Sequence, residues 1–115
     1  MSLERVLRTL EGFGLSRTEC EVYVYLAKAG PSKAGDLTVS LGMTKQQLYP
    51  ALKELREKGI VVKKPKRSLF LQAMVFEELL DLYVKLNIDK AQIIKETKEE
   101  LLASWREATT NLSNT

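Results

Sequence analysis

The chain has 115 residues, of which 44% are hydrophobic, and this length suffices for one globular domain and one additional element. The formal net charge is only +3, yet residues 1–74 carry 13 basic and 7 acidic side chains, whereas residues 75–115 carry 5 and 8. Histidine is absent and the single cysteine cannot form an internal disulfide, which excludes a Cys/His metal cluster, histidine acid–base chemistry and an internal disulfide scaffold.

The distribution of charge and hydropathy bounds the function further. A basic front is typical of a surface that meets a polyanion, although solvated lysines would give the same excess. No window approaches 18 uncharged apolar residues, the first residues lack the order of a signal peptide, and no Gly-rich phosphate loop is present. We therefore expect a cytoplasmic protein that is not an enzyme and has no membrane partner, cofactor or metal.

The first two predicted elements are amphipathic helices. Apolar residues recur at three- and four-residue spacing over residues 3–12, where a glycine ends the pattern. The sequence SRTE at 16–19 has the form of a capping box, in which serine and glutamate side chains satisfy amide groups at the start of a second helix. This second helix continues to Ala29 and is apolar around most of its circumference, which predicts that it is the central buried helix.

A helix-turn-helix is predicted next. Ser32 is a candidate cap for a short third helix, which has one apolar face between residues 34 and 41. The sequence TKQQ at 44–47 is a second capping-box pattern that opens a fourth helix, and Gly59 stands where a left-handed end cap is wanted. A helix, a tight turn and another helix in this order indicate a helix-turn-helix.

Two short strand-like runs follow the fourth helix. They are IVVKK and SLFLQA, and the residues PKR between them predict a hairpin with a basic tip. Helices and hairpin in this order predict a winged helix-turn-helix domain over residues 1–74. The expected fold class is α+β and mainly helical, with a long carboxy-terminal dimerisation helix after the winged helix.

The chain contains no proline or glycine from Val75 onward. Apolar side chains near helical spacing form a stripe that a domain of this size is too small to cover, which implies a partner and most simply a second copy. We predict a helical dimerisation segment over residues 75–112 and a frayed tail over 113–115. Asn87 and Asp89 favour helix caps, so one long helix and two shorter ones both fit the sequence. The predicted dimer-interface residues are Leu79, Tyr83, Leu86, Ile94, Leu101 and Trp105.

Pro50 lies inside the fourth predicted helix. An interior proline leaves the carbonyl four residues back, that of Gln46, without its helical partner, and it bends the helix away from the proline. On a helical wheel of about 100° per residue, Pro50 falls opposite the side that carries Leu48. We therefore predict that this outer face is not packed against protein, so that water or a ligand can bond to the Gln46 carbonyl.

The side chains of this outer face suit a DNA duplex. Glutamine can bond an adenine edge, lysine reaches guanine acceptors or a phosphate, and Thr44 at the helix start can bond a phosphate. Glu54 and Glu57 argue against groove contact in the carboxyl half, which confines base reading to the first two turns. A solvated helix would contain the same residue types, but the basic wing beside it favours a DNA interface. The predicted DNA-binding residues are Lys33, Thr44, Lys45, Gln46, Gln47, Pro50, Lys53, Lys63, Lys64, Lys66 and Arg67, with Arg17 as an alternative to Lys33 at the flank.

Three other residues have two possible roles. Cys20 lies in the buried-helix pattern without a basic neighbour in sequence, which favours inert core packing over a redox role. Trp105 fits a dimer core better than a ligand-stacking site. Tyr49 borders the apolar side of the fourth helix and fits the edge of the core better than a base contact.

Several stretches resemble the TrmB-type archaeal transcriptional regulators. GLSRTECEVYVYLAKAG at 14–30 is similar to the opening of their domain, LYPALKELREKGIV resembles their recognition helix and first wing strand, and KPKR followed by LFLQA is similar to their wing. The resemblance covers residues 3–73. It implies a winged helix, sequence-specific DNA binding and a reading helix that opens at Thr44. The Tyr-Pro pair also resembles PadR-type regulators, but the stretch at 14–30 favours TrmB.

The resemblance and the predicted dimer helix together give a functional expectation. Larger TrmB members carry a sugar-binding domain, and this chain is expected to be a short form with a helix in its place. As a homodimer it would bind double-stranded DNA at a palindromic operator, with half-sites about one DNA turn, roughly 34 Å, apart. The alternative is a winged-helix module that binds protein without reading DNA.

Overall fold

The structure, a computed structural model, describes residues 3–113, and these are mainly helical with one small antiparallel sheet. The elements in chain order are α1 (Leu3–Gly12), α2 (Arg17–Ala29), β1 (Ser32–Lys33), α3 (Ala34–Leu41), α4 (Lys45–Glu57), β2 (Val61–Lys64), β3 (Arg67–Ala73) and α5 (Phe76–Ser113). This order confirms the predicted fold class, a winged helix-turn-helix followed by a long carboxy-terminal helix.

Helix α2 lies at the centre of the core, as its apolar circumference predicts. Its start is fixed by the predicted capping box: the Ser16 hydroxyl accepts from the Glu19 amide at 3.1 Å, and the Glu19 carboxylate accepts from the Ser16 amide at 2.9 Å. The Tyr23 hydroxyl donates to the carbonyl of Met74 at 2.6 Å, which ties α2 to the segment after β3. Its buried apolar side chains are Cys20, Val22, Tyr23 and Leu26.

Glu19 also connects α2 to the carboxyl end of α4. Its side chain is only 9% exposed, and its second oxygen lies 3.8 Å from the Nζ atom of Lys58, the C-cap residue of α4. Gly59 follows with a φ of 75°, the left-handed conformation that its position predicts. The Ile60 amide then donates to the Leu55 carbonyl at 2.9 Å. An ion pair and a backbone cap therefore both hold the end of α4.

Strand β1 is absent from the sequence-based prediction. Ser32 lies opposite Leu71 and Lys33 opposite Phe70 in an antiparallel pairing with β3. Ser32 is buried and its hydroxyl donates to the Gly30 carbonyl at 2.9 Å, while Lys33 takes the N-cap position of α3. The prediction that Ser32 caps α3 is therefore wrong. A strand of two residues is too short to leave an alternating pattern in the sequence.

The predicted hairpin is present and forms the wing. Its strands lie in a sheet of order β1-β3-β2, and their register shifts between Lys63 and Lys64. Lys66 occupies the turn with a φ of 64°, the one positive value for a non-glycine residue within 3–113. Arg67 begins β3 and so belongs to the strand rather than to the tip. The four wing cations are therefore spread over both strands and the turn.

Helix α5 is one continuous helix, so Asn87 and Asp89 do not interrupt it. The chain divides into a first compact unit that ends at Leu79 and a second that begins at Leu80. Of the predicted tail at 113–115, Ser113 ends α5 and the other residues lie outside the described part. No helix within residues 3–113 is both long and apolar enough to span a bilayer.

Candidate nucleic-acid interface

The start of α4 is held by the predicted second capping box. The Gln47 amide donates to the Thr44 hydroxyl at 3.2 Å, and the Thr44 amide donates to Gln47 Oε1 at 2.9 Å. The Thr44 hydroxyl lies 3.4 Å from the same Oε1 atom. Thr44 therefore caps the helix as predicted. The side-chain oxygen of Gln47 therefore serves the cap, whereas the exposed side chain of Gln46 takes no part in it.

Helix α4 has one buried and one exposed face. Its buried side chains are Leu48, Ala51, Leu52 and Leu55. The opposite face carries Gln46, Pro50 and Lys53, all of them exposed, and the helix continues through Pro50. The predicted placement of the proline on an unpacked face is confirmed. Lys45, the first residue of the helix, is exposed as well.

The basic side chains of the wing lie on both strands and in the turn of the hairpin. Lys63 and Lys64 lie on β2 at the register shift, where a bulge redirects side chains from the regular alternation. Lys66 lies in the turn and Arg67 at the start of β3. Lys63, Lys66 and Arg67 are exposed, and Lys64 is half-buried. The hairpin thus forms a basic surface beside the carboxyl half of α4.

The cations of α4 and the wing differ from Arg17. The Arg17 guanidinium pairs with Glu11 at 2.9 Å, Glu21 at 3.4 Å and Glu4 at 3.6 Å, and hydrogen bonds, first of all the one to Glu11, raise its pKa above the usual value. No ion pair within residues 3–113 involves Lys45, Lys53 or the wing cations. Arg17 therefore neutralises acidic side chains near α1 and α2. Of the two predicted flanking cations, Lys33 is the one that belongs to the sheet, as part of β1.

Phe70 is a residue beside the wing cations that the sequence reasoning missed. It lies on β3, directly across from Lys33 of β1, and its ring contacts both Lys33 and Arg67. A signal for it exists in the sequence, because an aromatic residue three positions after Arg67 is interleaved with the basic run of the wing. The contact to Lys33 has no such signal, because it depends on the unpredicted strand β1.

A groove of about 670 Å³ separates α4 from the wing. Tyr49, Lys53 and Arg56 border it on the α4 side, and Val62 and Leu69 border it on the wing side. Tyr49 is half exposed there, at the edge of the core as predicted, and Leu69 is 73% exposed. The groove therefore combines apolar walls with cations at its rim.

The second unit carries an exposed apolar stripe on α5. The exposed side chains among the predicted dimer residues are Leu86, Ile94, Leu101 and Trp105. Tyr83 is half-buried. Leu79, in contrast, is completely buried in the first unit, so its side chain is not available to a partner.

The remaining reactive side chain is buried in the first unit. Cys20 is inaccessible to solvent, and burial raises the pKa of its thiol to about 11. A thiol that stays protonated at neutral pH is a poor nucleophile, which favours the packing role over a redox role. The part of the chain that the structure describes contains no group of three or more metal-ligating side chains.

The fold combines a helix-turn-helix with a three-stranded sheet that carries the wing. The second helix of the pair, α4, is capped and exposes one face. These features define a winged helix-turn-helix protein. This chain belongs to the TrmB family, because the family described as sugar-specific transcriptional regulator TrmB matches its residues 10–81. It is 41% identical over 58 residues to the HTH-type sugar sensing transcriptional regulator TrmBL1 of Pyrococcus furiosus. That match covers 50% of this chain and 17% of the relative. No solved structure gives a significant match.

The comparisons confirm the family resemblance that the sequence motifs predict. The matched range begins in α1 and ends in the first turns of α5, so it contains the helix-turn-helix and the wing. The match spans 17% of the length of TrmBL1, so the sugar sensing in that protein's name describes TrmBL1 and is not assigned to this chain.

Proposed function

We propose that this chain binds double-stranded DNA in a sequence-specific manner, acts as a homodimer and regulates transcription in the cytoplasm. The observation that carries the proposal is the pairing of an unpacked, proline-bearing face of α4 with a wing whose cations have no ion-pair partner within residues 3–113. Cations without ion-pair partners beside an exposed helix suit the phosphates that flank a DNA groove.

Base reading is assigned to the amino-terminal part of α4, from its first two turns to Lys53 at the start of the third turn. Gln46 and Lys53 point outward from the buried face, and both side chains can bond base edges in the major groove. Gln47 supports the reading helix through its cap, so it contributes position rather than base contact. The Thr44 hydroxyl and the amide groups of the first turn are suited to a phosphate, with Lys45 beside them.

The wing supplies contacts that do not depend on sequence. Lys63, Lys64, Lys66 and Arg67 each carry a charge that can neutralise one phosphate. Each neutralised phosphate steepens the dependence of log affinity on log salt by about 0.9. Four such contacts therefore contribute a slope of about −4. DNA binding by this chain is expected to weaken strongly as salt rises.

The dimer is assigned to the stripe on α5. Tyr83, Ile94 and Trp105 lie eleven residues apart, and Leu86 and Ala108 are separated by 22 residues, which is two such repeats. A repeat of eleven residues corresponds to about 3.67 residues per turn, which keeps one stripe on one side of a helix and favours a straight or right-handed pairing. A second copy of α5 would cover the same stripe and make the interface self-complementary.

Footprinting on the duplex upstream of the chain's own gene tests this proposal. Two protected half-sites about one DNA turn, roughly 34 Å, apart are expected, with related sequences in opposite orientation. Gln46→Ala is expected to weaken the footprint on this duplex and to leave the weak binding to a shuffled duplex unchanged. Protection of one asymmetric half-site by a monomer would contradict the dimer mechanism.

A second candidate function is protein binding through the groove between α4 and the wing. The exposure of Leu69 and Tyr49 favours it, because apolar side chains at a groove are typical of protein interfaces. The two functions differ in their electrostatics. A protein interface there would be little affected by salt or by loss of the wing cations, whereas DNA binding would be strongly affected by both.

A further inference from the structure

Two cations from different elements lie over one aromatic ring. The Arg67 Cζ atom is 4.3 Å from the centre of the Phe70 ring, and the Lys33 Nζ atom is 5.4 Å from the same point. Both distances fall within the range of about 6 Å over which a ring attracts a cation. The two charges are consequently no more than about 10 Å apart, since they share one ring.

The positions of these cations join the two parts of the fold that meet DNA in a winged helix. Lys33 is the N-cap residue of α3, the first helix of the helix-turn-helix, and its amide donates to the Asp36 carboxylate at 3.3 Å. Arg67 opens β3, directly after the wing turn. Phe70 lies opposite Lys33 in the sheet, so a single ring spans from the wing to the start of the helix-turn-helix.

Phe70 is not one of the buried residues of the core. The neighbouring Leu71 is 7% exposed and lies opposite buried Ser32, whereas Phe70 is half-buried. Successive strand residues point to opposite faces of a sheet, so the Phe70 ring lies on the face away from Leu71. The Phe70 ring therefore contacts Lys33 and Arg67 instead of packing in the core.

We infer that Phe70 is a positioning residue that holds Lys33 and Arg67 as a pair of phosphate-binding cations beside the proposed DNA interface. The inference rests on the proposed DNA binding. A ring attracts the face of a guanidinium, so the N–H donors at the guanidinium edge remain available to a phosphate, and the Lys33 ammonium keeps donors as well. Neither cation forms an ion pair within residues 3–113 that would compete.

The ring raises the affinity for phosphate by restricting the conformational freedom of the two cationic side chains before DNA binds. Long cationic side chains lose rotamer entropy when a phosphate immobilises them, and a side chain already held near its bound position loses less. For two side chains we expect this advantage to raise the affinity by about three- to tenfold. The gain is independent of base sequence, because the contacts are to phosphates.

The test measures the affinity of the full chain for a native and a shuffled duplex by fluorescence anisotropy, and it compares Phe70→Leu with the parent chain. Phe70→Leu keeps an apolar side chain and removes the π face. We expect a three- to tenfold loss of affinity, equal for both duplexes. Phe70→Tyr retains a π face and is expected to bind within about twofold of the parent.

A mutant cycle separates positioning from general destabilisation. In a Lys33→Gln, Arg67→Gln background, Phe70→Leu is expected to have no further effect, because the side chains through which the ring acts are gone. A loss of the same size in that background, or no loss in the parent, would overturn the inference. Urea denaturation of each variant checks folding. If Phe70→Leu fails to fold, Phe70→Tyr is compared with the parent instead. A tenfold loss of affinity in Phe70→Tyr would also overturn the inference.

The outcomes for this inference and for the proposed function differ. If the parent chain binds both duplexes and Phe70→Leu binds them equally well, only the positioning role fails. If the parent chain binds neither duplex at low salt, DNA binding fails and the phosphate-binding role of the two cations fails with it.

Discussion

The first unit and the part of α5 beyond it differ in how far their apolar side chains are exposed to solvent. In the first unit a core of large apolar side chains is buried, with Leu37, Leu48 and Leu55 inaccessible to solvent, although Val39 and Leu69 are exposed. In α5 beyond Leu80, Ile94 is 58% and Trp105 is 67% exposed. The apolar content of the two regions is similar in kind, but only the first region buries it within one chain.

This contrast identifies where the stability of a single chain originates. Burial of apolar surface is the main favourable contribution to folding, so the first unit holds the interactions that stabilise a single chain. The apolar side chains of α5 lack that contribution until something covers them. The proposed dimer assigns the covering surface to a second copy of the same helix.

The largest expected effect is on the core of the first unit. Leu55→Ala removes a fully buried side chain and is expected to lower the free energy of unfolding by about 2–5 kcal/mol. Leu101→Ala, on the exposed stripe, is expected to leave the stability of the first unit within about 0.5 kcal/mol of the parent. Hydrogen exchange of the α2 amides measures both. Similar losses in the two variants would remove the distinction between the regions.

The next effect concerns assembly. Ile94→Asp puts a charge into the proposed dimer stripe and is expected to give a monomer by sedimentation. Affinity for a two-half-site duplex should fall about 100-fold, because linkage of two reading units is lost. Ile88 is a matched control: it is 63% exposed on the same helix but lies off the stripe. Ile88→Asp should remain a dimer, and a monomer in both variants would argue against a specific stripe.

The buried groups of α2 make the stability of the first unit depend on alkaline pH. Burial raises the pKa of Cys20 from 9.0 to about 11 and that of Tyr23 from 10.0 to about 12. The unfolded chain therefore releases these protons first, so the contribution to stability is complete below pH 9.0 and is lost as the pH rises towards these folded values. Between pH 8 and 10 the urea midpoint should reflect a loss of about 1–2 kcal/mol. Cys20→Ala should reduce this loss, and an unchanged slope would contradict the role of the thiol.

The smallest expected effect concerns Lys66, a wing cation whose loss should weaken DNA binding without affecting the stability of the fold. Lys66→Gln is expected to weaken DNA binding by about three- to fivefold at moderate salt and to reduce the salt slope by about 1. Because Lys66 is exposed, the free energy of unfolding should stay within about 0.5 kcal/mol of the parent. Anisotropy titrations at several salt concentrations measure the slope. A lower affinity with an unchanged slope would mean that Lys66 does not neutralise a phosphate.

Local signals made most of the fold predictable from the sequence. The capping boxes at Ser16 and Thr44, the glycine at 59 and the exposed Pro50 each depend on residues within one turn, and the structure confirms all of them. Strand β1 could not be predicted, because two residues become a strand only through pairing with β3 far along the chain.

The candidate site was less predictable for the same reason. Charge alone indicated Arg17 and Lys33 equally, but tertiary contacts give Arg17 acidic partners and place Lys33 on the Phe70 ring. Leu79 fitted the helical stripe, yet its position at the end of the first unit buries it. Periodicity reports which residues share a face of a helix, and only packing decides what that face contacts.

The central claim is that the chain reads DNA, and a fluorescence-anisotropy titration tests it most directly. A labelled duplex from upstream of the chain's own gene is compared with a shuffled duplex of equal composition at low and moderate salt. We expect tighter binding to the native duplex and a steep loss of both affinities with salt. The absence of binding to either duplex at low salt would contradict it and would favour protein binding at the groove beside the wing.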